Sequence, residues 1–138
     1  MLTASRKRML ACLCVLLVGA CDESSPLGPK QAINERVTVA PGQSVVIRGT
    51  SLRLQFLRVS GDSRCPADAF CIQGGDAIVH LRATETTSAE YELHIGDAAL
   101  AVAMHDGFRI ELVQLQPYPF SSQSIAPGDY RATIGVEH

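Results

Sequence analysis

The chain of 138 residues contains no tryptophan, four phenylalanines and three tyrosines. A folded core must therefore be filled mainly by aliphatic side chains, and a small domain with so modest a core benefits from a covalent cross-link. The sequence also lacks a Gly-x-Ser-x-Gly motif, a phosphate-cradling glycine loop and carboxylates paired for catalysis. It therefore gives no motif-level support to serine hydrolases or nucleotide-binding enzymes.

Long apolar runs are absent as well. The longest, Met9 to Val18, has about ten residues, whereas a membrane-spanning helix needs roughly 20. Three cations, Arg6, Lys7 and Arg8, precede this run, and small residues follow it. A basic head, a short apolar run and a small-residue cleavage site are typical of a secretory signal peptide. We predict that residues 1–20 form one; a buried N-terminal helix is the alternative.

The run ends in Val-Gly-Ala-Cys, residues 18–21. This tetrapeptide resembles the lipobox of bacterial lipoproteins, in which a lipid is joined to the cysteine and the chain is cut just before it. The resemblance implies that Cys21 is the acylated first residue of the mature protein and its anchor in the lipid bilayer. The alternative is an ordinary cleavage site with a chance cysteine nearby. Asp22 resembles the inner-membrane retention signal of enteric bacteria, but that rule does not transfer between bacterial groups.

The mature part keeps nine of the twelve Lys and Arg residues and all fourteen Asp and Glu residues, so its formal net charge is −5. An acidic domain is a poor ligand for nucleic acid and is repelled by anionic lipids. Residues 21–35 are rich in Ser, Pro, Gly and charge and predict a flexible tether. The fourteen residues from Asp22 to Glu35 would span about 20 Å on average.

From Arg36 onward, short runs of alternating apolar and polar residues are separated by turns: RVTVA, QSVVIR, LRLQFLRVS, DAIVHLRA, EYELHIG, LAVAMH, FRIELVQLQ and DYRATIGV. Strands at this spacing, with no helical period, predict that residues 36–138 form an all-β antiparallel sandwich of seven or eight strands. A small barrel is the alternative.

Three local features refine this fold. The apolar phase shifts by one residue after Phe56 and again after Leu112, which indicates either a β-bulge or a strand that crosses between two sheets. The run LAVAMH predicts an inward face made of Leu100, Val102 and Met104, followed by a tight turn at Asp106-Gly107. Gly74-Gly75 predicts another bulge or a turn with positive φ.

After removal of residues 1–20 and modification of Cys21, only Cys65 and Cys71 remain as free thiols. An exported protein meets an oxidising compartment, where two such cysteines are expected to pair. A zinc site normally has four ligands and a redox couple is more often Cys-x-x-Cys. We predict a structural disulfide between Cys65 and Cys71, which would rigidify the knuckle, residues 66–70 (PADAF). A metal site and a labile, redox-active bond stay open.

The segment DSRCPADAFCIQGGDAIVHL, residues 62–81, resembles a signature of small exported bacterial proteins: Asp-Ser-Arg-Cys-Pro, a short spacer, Cys, a glycine and an alternating strand. LVQLQPYPF, residues 112–120, and PGDYRATIGV, residues 127–136, resemble the later parts of the same family. Similar sequences often carry Trp and Ala where this chain has Gln73 and Gly74. The resemblance implies an exported β-domain with the disulfide, and it implies no activity.

Possible ligand-binding side chains are scattered. His80 and His94, with Glu92, would form a metal site if their strands pair, although a solvated strand face is the plainer interpretation. Asp62, Asp68 and Asp76 lack the spacing of an EF-hand calcium loop, so we expect them to cap turns, with Arg64 pairing locally. His105 is expected to serve the tight turn, and His138 is terminal.

Six arginines occupy polar strand positions, where they would pair with glutamates across strands or line a single binding face: Arg48, Arg53, Arg58, Arg82, Arg109 and Arg131.

These observations favour a lipid-anchored protein of the bacterial cell envelope with a non-catalytic binding or structural role and no cofactor. Its contact surfaces would be the knuckle and the proline loop, residues 117–127 (PYPFSSQSIAP), and its partner an envelope protein or a glycan. A protease inhibitor is one form of this hypothesis. The alternative from a different class is a metal-dependent hydrolase that uses His80 and His94.

Overall fold

A computed structural model describes residues 32–138 of the chain. The predicted signal peptide, Cys21 and most of the predicted tether lie outside these residues. Within them the structure contains one 3-10 turn, Pro127–Asp129, and eight strands: β1 (Asn34–Val39), β2 (Ser44–Val46), β3 (Arg53–Asp62), β4 (Ala77–Thr84), β5 (Ser88–His94), β6 (Val102–His105), β7 (Phe108–Gln116) and β8 (Arg131–Glu137). No helix in this part of the chain is long and apolar enough to span a membrane.

The strands form two antiparallel four-stranded sheets, in the orders β1-β8-β7-β6 and β2-β3-β4-β5. The predicted all-β sandwich is therefore confirmed, with eight strands. The first strand begins at Asn34, which pairs with Glu137, so the last two residues assigned to the tether belong to the sheet. Glu35 is held there because its carboxylate accepts bonds from the backbone and side chain of Arg48, each at 2.8 Å.

The strand registers define two ends of the sandwich. At the N-terminal end, the start of β1 lies beside the end of β8, and the β4–β5 and β6–β7 turns lie close together. At the disulfide end, Asp62 pairs with Ala77 and Gln116 pairs with Arg131. The seven residues of β8 run from one end to the other, a distance of about 20 Å at the usual rise per residue. The described chain therefore begins at the end opposite the disulfide.

The core is aliphatic, as the absence of tryptophan requires. Its largest fully buried side chains are Phe56, Ile47, Leu52, Leu54, Leu81, Leu93, Ile110, Leu115, Ile134, Val79 and Val136. Phe108 and Tyr130 close its edges. Side chains from both sheets contribute to this one cluster, as expected for a sandwich.

Both predicted phase shifts are β-bulges. The register between β3 and β4 shifts after Phe56 and again after Val59, and the register between β7 and β8 shifts after Leu112. After the bulge in β7, Leu115 is buried, as predicted, whereas Val113 is exposed. The bulges move the inward phase by one residue and allow long strands to follow the twisted core.

The predicted inward face of β6 is wrong. Leu100 and Met104 are exposed, while Ala101 and His105 are buried and Ala103 packs against the core. The cause lies in the following turn. It pairs His105 with Phe108, and residues directly opposite each other point to the same face of a sheet. Because Phe108 points inward, His105 must as well.

The Asp106-Gly107 turn is confirmed, with φ angles of 48° and 87°. These positive values at both central residues are typical of a two-residue hairpin turn. The Asp106 carboxylate also accepts bonds from the backbone amides of Thr87 and Thr86, at 2.8 and 3.1 Å, and from the Thr86 hydroxyl. These bonds join the turns of the two sheets. The Thr87 amide, followed by the Thr86 side chain, lowers the pKa of Asp106 from 3.8 to about 2.

We expect Asp106→Asn to lower the thermal midpoint of unfolding at neutral pH and to flatten its fall in acid. Since the folded pKa lies below the unfolded one, Asp106 stabilises the protein fully above pH 4, and this stabilisation is lost as the pH falls towards 2. Asparagine tolerates positive φ, so the turn itself is preserved. Midpoints measured from pH 7 to pH 2 test this, with Asp129→Asn as the control. Equal acid sensitivity of wild type and Asp106→Asn would contradict it.

Candidate functional site

Two loops form the disulfide end. Cys65 and Cys71 are joined by a disulfide, with their Cα atoms 6.0 Å apart, and the Ala69 amide donates to the Pro66 carbonyl within the loop. The predicted disulfide and knuckle are therefore present in the structure. Phe70, the last residue of the knuckle, and Ile72 just after the disulfide are each 97% exposed. A disulfide-closed loop thus holds two large apolar side chains in solvent.

The knuckle is fastened to the proline loop. The Ala67 amide donates to the Pro119 carbonyl at 2.9 Å. The Asp68 carboxylate accepts bonds from the Ser121 amide at 2.8 Å and from its hydroxyl at 2.5 Å. These bonds from Ser121, the side chain first, lower the pKa of Asp68. The two loops that the sequence singled out separately therefore form one continuous surface.

Beneath this surface lies Arg64, which is only 8% exposed. Its Nε and Nη2 atoms donate to the Asp62 carboxylate at 2.8 and 2.6 Å. Its Nη1 donates to the Leu115 carbonyl at 2.6 Å, and Nη2 also donates to the Pro117 carbonyl at 2.9 Å. The planar guanidinium is suited to several acceptors in fixed directions. It connects the end of β3 in one sheet to the end of β7 in the other.

Asp62 is the second centre of this network. Besides Arg64, it accepts a bond from the Tyr130 hydroxyl at 3.1 Å. Burial acts to raise the pKa of Asp62, but the Arg64 bonds outweigh it and the pKa is lowered. Burial, and then the Asp62 bond, raise the pKa of Tyr130. The carboxylate stays ionised and matches the charge of the buried guanidinium.

The three aspartates that flank the knuckle serve separate bonds. Asp62 also accepts the Arg64 amide and Asp68 accepts Ser121, while Asp76 accepts His94 Nδ1 at 2.6 Å and the Gly96 amide at 2.7 Å. The turn-capping interpretation and the local pairing of Arg64 are confirmed. Within residues 32–138, no three His, Cys, Asp or Glu side chains form a group that could hold a metal ion.

Gly75 fills a position where the backbone comes too close for a side chain. A Cβ atom there would lie 1.5 Å from the Ser63 carbonyl oxygen, whereas a Cβ at Gly74 would meet nothing within 4 Å. The Ser63 amide donates to the Asp76 carbonyl at 2.6 Å, which holds the two segments together. Of the two alternatives predicted at Gly74-Gly75, positive φ is wrong, since only Gly42, Gly49 and Gly107 have it among the described glycines, and the register shifts of the paired strands lie elsewhere. Close approach, not an unusual backbone angle, requires glycine at 75.

The four histidines do not come together in one site at the disulfide end; each has its own contacts. His80 and His94 stand on adjacent strands, where they face Glu92 and Ile78. His80 is buried, against the expected solvated face; its Nε2 lies 2.7 Å from the Ser60 hydroxyl and its Nδ1 lies 3.6 Å from Glu92. The order Ser-His-Glu is that of a hydrolase triad, but the histidine–carboxylate distance is too long for a hydrogen bond. The contact with Ser60 anchors the bulge of β3.

His105 is 3% exposed; its Nδ1 lies 3.0 Å from the Tyr91 hydroxyl, and its Nε2 has no hydrogen-bond partner among the described residues. His138 stacks on Phe108 with ring centroids 4.5 Å apart.

The six predicted arginines do not form one face, because β3 and β4 belong to one sheet and β7 and β8 to the other. Arg82 pairs with Glu90 across the strands, and Arg109 bonds Glu111 at 2.5 Å along its own strand. Glu92 faces His80 instead of an arginine. The arginine at the centre of the candidate site, Arg64, was expected only to pair locally. Its place in Asp-Ser-Arg-Cys-Pro was the one signal that pointed to it.

Two recesses flank Tyr118, which lies over the Arg64 guanidinium at 5.5 Å. One, of about 240 Å³, is lined by Arg64, Gly75, Gly96 and Tyr118 among others. The other, of about 330 Å³, includes Tyr118, Phe120, Ile125 and Asp129. The disulfide end therefore presents two protruding apolar side chains, Phe70 and Ile72, and two recesses that flank Tyr118. This arrangement is suited to docking.

Comparison with known proteins adds no relative: no protein family model, no curated protein and no solved structure matches the chain.

We expect Arg64→Ala to destabilise the protein by about 3–5 kcal/mol, because it leaves the Asp62 carboxylate unpaired in a buried position. Arg64→Lys should recover little of this, since one ammonium cannot reach acceptors on both sheets. The control is Arg82→Ala, which breaks an exposed pair and should cost less than about 1 kcal/mol. Urea unfolding of the three variants measures the difference. Equal losses in the free energy of unfolding for Arg64→Ala and Arg82→Ala would contradict the central structural role of Arg64.

We expect Gly75→Ala to unfold or severely destabilise the protein, because its new methyl group overlaps the Ser63 carbonyl. Gly74→Ala is the matched control, and it should change the free energy of unfolding by less than about 1 kcal/mol. Far-ultraviolet circular dichroism during heating distinguishes the two. A Gly75→Ala protein as stable as the control would show that the two segments can separate at little cost.

Proposed function

We propose that the protein is a lipid-anchored module of the bacterial cell envelope that binds a partner through its disulfide end. The anchor is supported by the basic head, the short apolar run and the lipobox-like residues that end in Cys21. The formal net charge of the mature part, −5, means that overall electrostatic attraction to anionic lipids would not hold it at a membrane, so an anchor of another kind would be needed.

The disulfide supports export. Cys65 and Cys71 pair in the structure, and disulfides form and persist in oxidising compartments outside the cytoplasm. The predicted signal peptide supplies the route. Lipidation with two or more acyl chains would then hold the domain firmly, since a single chain binds a membrane only marginally.

One observation carries the binding role: Phe70, within the disulfide-closed loop, and Ile72, directly after it, are almost fully exposed, and this loop is bonded to the proline loop. Leaving such side chains in water forgoes about 1.5–3 kcal/mol each. Exposed apolar side chains on a rigid scaffold are typical of contact surfaces. The disulfide and the hydrogen bonds around these side chains are structural. The exposed apolar side chains are therefore the feature that supports a binding function.

The disulfide end lies far from the point where the predicted tether joins the domain. Residues 1–31 join the described chain at the N-terminal end, whereas the knuckle lies at the disulfide end, about 20 Å away along β8. The predicted flexible tether would leave the disulfide end accessible to partners without fixing the orientation of the domain. A metal-dependent hydrolase remains the alternative, and no group of three ligands in residues 32–138 favours it.

We expect mass spectrometry of the mature protein to find its N-terminus at Cys21 with attached acyl chains. Cys21→Ser should abolish both acylation and cleavage at this site, because the lipid is joined to the sulfur. Cys14→Ser is the matched control, since that residue leaves with the signal peptide. Membrane fractions separated by sedimentation complete the test. A Cys21→Ser protein that is processed and membrane-bound like the control would refute the anchor.

A further inference from the structure

The disulfide end combines apolar and acidic character. Phe70 and Ile72 protrude from it, and Tyr118 and Phe120 of the proline loop are 48% and 47% exposed. The knuckle and the proline loop are bonded together, so Phe70, Tyr118 and Phe120 are carried by two connected loops, and Ile72 directly follows the disulfide that closes the knuckle. Aromatic and aliphatic anchors of this kind dominate the affinity of protein–protein interfaces.

Four aspartates lie on the segments that build this end: Asp68, Asp76, Asp97 and Asp129. Asp129 lines a recess together with Tyr118 and Phe120. Residues 65–81, 95–100 and 117–130, which build this end, contain no Lys or Arg. The neighbouring Arg64 is buried against Asp62, and Arg131 donates to the Gly128 and Tyr130 carbonyls. The end is therefore acidic as well as apolar.

The acidic character persists at low pH. Bonds from Ser121 lower the pKa of Asp68. Partial burial opposes the same shift at Asp76, but the Gly96 amide and His94 outweigh it. An anionic membrane is therefore repelled by this end throughout the usual pH range. A second copy docking end to end is disfavoured too, because a two-fold contact would bring like carboxylates together.

We infer that the occupant of the disulfide end is an envelope protein whose docking surface is an apolar recess rimmed by lysine and arginine. This inference rests on the proposed function, in which the disulfide end is the binding surface of an anchored module. Phe70 and Ile72 enter the partner's recess, and the partner's cations approach the four aspartates. The recesses on either side of Tyr118 accept side chains of the partner in return.

The inference is tested by photo-crosslinking in the native envelope, with the full acylated chain. A benzophenone amino acid replaces Phe70; in the control it replaces Val46, which is 45% exposed and lies towards the N-terminal end. We expect a discrete protein adduct from position 70 and none from position 46. Sequencing of the cross-linked peptide should find lysine or arginine near the cross-linked residue of the partner.

Two further changes test the chemistry of the adduct. Ile72→Ser should lower its yield about tenfold, as expected for loss of one anchor of an interface. The double variant Asp97→Asn/Asp129→Asn should lower the yield several-fold, and added salt should do the same in wild type but less in that variant. All variants should keep the thermal midpoint of the wild type, because these side chains are exposed.

Each other outcome overturns the inference. Adducts with lipid identify the membrane as occupant, and adducts with a second copy identify self-association. A protein adduct that ignores charge and salt shows that the partner is not cationic. An adduct from position 46 alone, or from neither position, removes the disulfide end as the docking surface. Acylation of Cys21 is read from the same samples, so failure of the anchor is distinguished from failure of the inference.

Discussion

The ion pair between Arg64 and Asp62 is the interaction on which the disulfide end depends. Through it, three distant segments of the chain meet at one buried point: residues 62–65, the carbonyls of Leu115 and Pro117, and the Tyr130 hydroxyl. A buried charge is costly unless it is paired and fully hydrogen-bonded. Meeting that requirement fixes the end of β3 against the end of β7 and the start of β8, and so provides the base from which the knuckle projects.

The same network shows how much of the disulfide end could be predicted from the sequence. Arg64 and Asp62 join three segments that lie far apart in the chain, around residues 62–65, 115–117 and 130. Local pairing of Arg64 could be predicted, because Asp62 lies two residues away. Its bonds to Leu115 and Pro117 could not, because backbone carbonyls 51 and 53 residues distant carry no signal in their side chains.

Elsewhere the alternation of apolar residues was sufficient for strands, bulges and the Asp-Gly turn, since each strand has one face on the core. It failed in β6, where the inward residues are alanines and a histidine, and large apolar residues occupy the exposed face. There the register set by the Asp106-Gly107 turn determines which residues face the core, so hydrophobicity alone predicts the wrong face. Gly75 shows a related limit: a glycine pair indicated a special backbone, but only the position of Ser63 reveals which glycine is essential and why.

The disulfide and the buried ion pair lie next to two large apolar side chains, Phe70 and Ile72, that remain exposed to solvent. Without a covalent closure, Phe70 and Ile72 would gain about 1.5–3 kcal/mol each by folding back onto the nearby apolar surface. Cys71 lies between them and is tied to Cys65, which directly follows Arg64. The disulfide therefore restricts how far the backbone at Phe70 and Ile72 can move towards that surface. The disulfide limits the backbone conformations that the loop before Cys71 can adopt, so this loop has less backbone entropy to lose in any contact that it makes.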